Sequence, residues 1–123
     1  MIHRIRSASL MSTLMALALL GFAGLASAHS AMTASTPEDG AHLDSPPESV
    51  GLRFDGDMRI TRFVVTGPDG AVALAQRPGR EPTRSFDTAP AQPLGPGTYQ
   101  VEWRGIAADG HVMTGQFSFH VGD

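Results

Sequence analysis

The sequence predicts an all-β domain, a seven-stranded antiparallel Greek-key sandwich or barrel. Three observations carry that reading. Apolar residues recur with period two in the clearest segments, as in Val50, Leu52 and Phe54, in Tyr99, Val101 and Trp103, and in Phe117, Phe119 and Val121. Beyond residue 28, no stretch of ten or more residues sustains a helical period. All nine prolines and all but two of the 14 glycines also lie there, spread as punctuation between short apolar runs.

Residues 1–28 stand apart and read as a secretory signal. Arg4 and Arg6 precede an apolar run from Leu10 to Leu25, and Ala26-Ser27-Ala28 has the small-x-small form of a cleavage site. The run is about 16 residues long, under the ~20 needed to span a bilayer. Cleavage after Ala28 leaves residues 29–123 as one mature domain and points to the bacterial periplasm.

Strands are expected at Ala31–Ser35, Val50–Phe54, Ile60–Thr66, Ala71–Ala75, Thr83–Thr88, Tyr99–Trp103 and Phe117–Val121. The step from Ile60 to Phe63 breaks the alternation and predicts a bulge. Turn signals separate the runs at Pro37-Glu38-Asp39-Gly40, Gly67-Pro68-Asp69-Gly70, Gly95-Pro96-Gly97 and Ala108-Asp109-Gly110. Leu94-Gly95-Pro96-Gly97-Thr98-Tyr99 has the form of a tyrosine corner, which assigns Tyr99 and Trp103 to the core. Residues 77–93 carry four prolines and are the loosest part.

Composition removes several function classes. The chain holds nine arginines, no lysine and no cysteine. Disulfides, thiolate catalysis, zinc knuckles and iron–sulfur clusters are therefore excluded. From residue 29 onward seven arginines face twelve carboxylates, a formal charge of −5. That balance argues against nucleic acid and anionic membrane surfaces as partners. No serine lies in a nucleophile elbow. Asp55 and Asp57 resemble a fragment of a calcium loop without its later acidic ligands, and a polar turn is the simpler reading.

The histidines carry the remaining chemistry. Cleavage after Ala28 makes His29 the mature N-terminus, whose free amine and ring Nδ1 together close a six-membered metal chelate. Asp109 and His111 are two apart, so in extended geometry they share a face, and Gly110 between them allows a turn. Such a pair binds metal, orients a general base or caps a turn. His42 reads as a solvated loop residue with nothing nearby to pair with it, and His120 as an outward strand position. His29, Asp109 and His111 together offer three nitrogens and one oxygen. That set suits Cu(II) in a tetragonal site or Zn(II) in a tetrahedral one, and the Irving–Williams order favours copper. Met32, Met58 and Met113 are scattered, so no clustered thioether site for Cu(I) is expected.

Four segments resemble the periplasmic copper-resistance CopC family. They are His29 with Ser35-Thr36-Pro37-Glu38-Asp39-Gly40, then Val50-Gly51-Leu52-Arg53-Phe54, then Leu94 to Arg104, and Ala108 to Phe119 with its Asp109-Gly110-His111. The resemblance implies a cupredoxin-like or immunoglobulin-like β-sandwich that binds one Cu(II) ion per chain through His29, Asp109 and His111. It also implies hand-over to an inner-membrane copper-transport protein of the CopD type, and a binding protein rather than an enzyme. Thr66 to Ser85 contains no methionine, unlike the methionine-rich Cu(I) loop of some members. Val112 stands where a proline often follows the ligand histidine, and Asp55-Gly56 replaces the usual Ser-Glu. Two rival readings are a copper-dependent oxidase of the N-terminal-histidine-brace type, and a metal-free adhesive or carbohydrate-binding sandwich.

Overall fold

The computed structural model describes residues 32–122. Seven strands run through them: β1 (Met32–Thr36), β2 (Ala41–Leu43), β3 (Val50–Gly67), β4 (Gly70–Ala71), β5 (Thr83–Thr88), β6 (Gly97–Ala107) and β7 (Val112–Val121). The main path of the sheet is β1-β3-β6-β7-β2, with β4 and β5 also pairing β3. All pairings are antiparallel except β2 with β7, which run parallel.

β3 organises the whole. Its first part pairs with β1 and β5, through Leu52 opposite Ser35 and Phe86. Its second part pairs with β6, from Met58 opposite Ala107 to Thr66 opposite Gln100. Two expected strands are thus one strand of 18 residues. Asp55-Gly56-Asp57, expected as a polar turn, is the bend where β3 changes partners, and Asp57 lies 3.5 Å from Arg84 in an exposed ion pair. Polar residues there mark a corner in extended chain, which local sequence does not distinguish from a reversal. The predicted bulge is present, with the β3–β6 register shifting between Ile60 and Arg62.

The two parts of β3 belong to facing layers. Phe54, from the first part, meets Trp103 of β6 edge-on, with ring centroids 5.1 Å apart. Phe86 of β5 meets Phe63 of the second part in the same way at 5.1 Å. Between them lies one core of alternate residues: Val50, Leu52, Met58, Ile60 and Val65 from β3, Tyr99, Val101 and Trp103 from β6, and Phe117, Phe119 and Val121 from β7. Leu52 and Met58 are fully enclosed, so the alternation read from the sequence defines the buried face.

Three local differences from expectation have physical causes. β2 is three residues long, too short for period two to register, and exists because β7 pairs with it. Of the expected Ala71–Ala75 segment only Ala71 is regular strand, in β4, because the chain beyond it leaves β3 for the 89–91 segment, with the Ala75 amide donating to the Ala89 carbonyl and Leu74 bridging Pro90. β7 starts five residues before the expected Phe117, because β6 keeps pairing as far as Ile106 opposite Val112.

Polar groups pin the edges of the core. The Tyr99 hydroxyl donates to the Gly95 carbonyl at 2.7 Å, which completes the tyrosine corner. Buried Thr88 accepts from the Gln76 amide and donates to the Gln76 carbonyl, both at 3.0 Å, tying the Pro-rich segment to β5. Gly115 faces Trp103 across β6–β7, and a Cβ there would stand 2.5 Å from the indole Nε1. Gly115→Ala is expected to destabilise by about 1–3 kcal/mol, because a rigid buried ring has to shift. Tyr99→Phe is expected to lose about 0.5–1.5 kcal/mol with the corner bond. Urea denaturation measures both.

Candidate metal centre

Asp109 and His111 sit in the turn between β6 and β7. The Gly110 amide donates to the Ala107 carbonyl and the Ala107 amide to the His111 carbonyl, each at 2.9 Å. Gly110 has φ +88° with open space where a Cβ would be, so its left-handed backbone, not crowding, calls for glycine.

One carboxylate organises this turn. Asp109 Oδ1 accepts the His111 amide hydrogen at 3.1 Å, and Oδ2 lies 2.8 Å from His111 Nδ1. The cap and the carboxylate–imidazole pair, alternatives at the level of sequence, are therefore both present. An ionised carboxylate only accepts, so in this arrangement the imidazole hydrogen resides on Nδ1 and the lone pair on Nε2. The side chains of Asp109 and His111 are 47% and 64% exposed, respectively.

The turn lies at the corner of β3. Ala107 pairs with Met58, and Met32, at the start of β1, pairs with Phe54. Both strand ends therefore meet β3 within residues 54–58. His29, the first of the expected ligands, lies outside the described residues. Among the described residues, no group of three or more His, Asp or Glu gathers to hold a metal ion. The sulfurs turn inward: Met58 is buried, and Met32 and Met113 pack against the core.

Sequence reasoning missed the partner of His42. It pairs with His120 across β2–β7, their rings 5.5 Å apart and tilted by 46°. The pairing comes from a parallel contact between segments 78 residues apart, which no local pattern reveals.

The CopC domain family model matches residues 32–122. This chain belongs to the CopC family. Copper resistance protein C of Escherichia coli is 31% identical over 114 residues, covering 84% of this chain and 89% of the relative. Copper resistance protein C of Pseudomonas syringae pv. tomato is 34% identical over 108 residues, covering 79% and 83%. Among solved structures, PcoC, a methionine-rich copper resistance protein from Escherichia coli, superimposes with a TM-score of 0.61 at 31% identity, covering 76% of this chain and 99% of that one. CopC from Methylosinus trichosporium OB3b gives 0.60 at 26% identity, covering 76% and 94%. These likenesses bear out the resemblance drawn from the Leu94–Arg104 and Ala108–Phe119 segments.

Within this CopC-family domain, Gly110→Ala is expected to cost about 1–2 kcal/mol, the penalty of a Cβ on left-handed backbone. Chemical denaturation reads the loss, and the His111 imidazole proton resonances should show the carboxylate contact weakened.

Proposed function

We propose that this protein is an exported copper-binding protein of copper resistance, which captures one Cu(II) ion per chain at its tightest site and passes it on. Copper and resistance come from relatives bearing those names. The observation that carries the ligand assignment is the Asp109–His111 pair. Ligands at neighbouring corners of a square plane, with bonds of about 2.0 Å, stand about 2.8 Å apart. Asp109 Oδ2 and His111 Nδ1 already stand 2.8 Å apart. A Cu(II) ion bound at Nδ1 takes the place of the hydrogen there, which moves to Nε2, and so meets an imidazole nitrogen and a carboxylate oxygen at neighbouring corners of its plane.

His29 supplies the remaining nitrogens in this proposal. Signal removal after Ala28 leaves its amine free, and the mature domain is residues 29–123 in the periplasm. Three Cα–Cα steps lead from Met32 back to His29, a reach of about 10 Å. That reach starts from the β1 end that meets the same β3 corner as the Asp109 turn. The donor set contains no sulfur and Met113 packs against the core, so the site favours Cu(II) over Cu(I). Exposed ligands on a fixed turn suit capture and release, and we assign no catalytic step. The receiver is an inner-membrane copper-transport protein of the CopD type.

Intact mass of exported protein should begin at His29. Placing a Gly before His29 should sharply weaken the tightest Cu(II) equivalent, because the chelate needs that residue's own amine. His111→Ala should weaken it further than Asp109→Ala, since Cu(II) prefers nitrogen. Unchanged affinity in both the Gly-extended protein and His111→Ala, by competition with a Cu(II) chelator, would refute the ligand set.

A further inference from the structure

We infer that His42 and His120 form a second metal site, a bis-imidazole chelate for Cu(II) at the opposite pole of the domain. It involves none of the residues assigned to the first site and does not depend on that assignment. His42 and His120 are directly paired in the parallel β2–β7 contact, so their side chains rise from the same face of the sheet. Their ring centroids are 5.5 Å apart with a 46° tilt, so the rings are neighbours and are not stacked flat. Two nitrogens of one coordination shell stand about 2.8–4 Å apart when each bond is about 2.0 Å. Rotation of the exposed His42 side chain is the adjustment this site requires to reach that span.

A third residue prepares His120. Thr98 is its direct partner on β6, and Thr98 Oγ1 lies 3.1 Å from His120 Nδ1. The tautomer that donates from Nδ1 to Thr98 leaves Nε2 unprotonated, as a metal requires. This is the outer-shell arrangement that orients histidine ligands in metal sites. Thr98, His120 and His42 therefore form one row across β6, β7 and β2, comprising a positioning hydroxyl and two ligands.

The pair is remote from the first site. His111, just before β7, and His120, near its end, are nine residues apart, about 30 Å at 3.3 Å per residue. One ion cannot bridge them. With two protein nitrogens and water completing the shell, the pair holds copper less tightly than a chelate that includes an amine and a carboxylate. Its metal exchanges faster, as befits a loading or overflow position under copper stress.

The test is titration of Cu(II) alone into protein expressed from the full sequence, followed by calorimetry and by hyperfine spectroscopy of the coordinated nitrogens. Two saturations are expected, the weaker one showing two imidazole couplings. His42→Ala and His120→Ala should each abolish the weaker saturation and leave the tighter one unchanged. Thr98→Val should weaken it by about 10–100-fold, the usual effect of losing an outer-shell partner. In a His111→Ala background the pair should still take one ion, which separates its fate from that of the turn site. Circular dichroism of each variant controls for folding. A weaker saturation that persists in the His42→Ala/His120→Ala double variant, or titration that stops at one equivalent in wild type, overturns the proposal.

Discussion

Strand β3 has to keep apolar side chains on one face through a bend and a bulge, and everything else in the domain hangs on that. Val50, Leu52 and Phe54 line the core before the bend, then Met58 and Ile60 after it, and Phe63 and Val65 beyond the bulge. Without the extra residue at Thr61, Phe63 and Val65 would project to solvent, because a one-residue slip reverses a strand's faces. The bend lets one strand serve two layers, so β1 and β5 reach the core that β6 and β7 complete. In a domain with no disulfide, this shared strand supplies the connection between layers.

The same bend sets the location of the chemistry. It draws the end of β6 and the start of β1 to one corner, Met58 and Phe54 being their respective partners. The turn beyond β6 is thus anchored on a rigid strand pair while Asp109 and His111 stay partly exposed. Asp109 is used twice, once to fix the His111 backbone and once to hold its ring. If copper binds at this turn as proposed, the pair needs little reorganisation to receive it.

Much of this was legible in the sequence because its signals are local. Period two gave the inward faces, Gly67-Pro68-Asp69-Gly70 gave the β3–β4 hairpin, and Leu94 to Tyr99 gave the corner that the Tyr99–Gly95 bond closes. The contact between Asp109 and His111 was legible because they are two residues apart. The continuity of β3 was not legible, since Asp55-Gly56-Asp57 has the composition of a turn and only its partners keep it extended. Nor was β2, whose three residues become a strand only against β7, and with it the pairing of His42 and His120. Long-range pairing supplied what no window of sequence contains.

The central claim is that copper is taken first at the β6–β7 turn. Crystals of the exported protein loaded with one equivalent of Cu(II), with anomalous scattering recorded at the copper edge, test it most directly. A single strong peak is expected within bonding distance of His111 and Asp109, with His29 completing the shell. A peak between His42 and His120 alone, or one with no contact to His111, would contradict it.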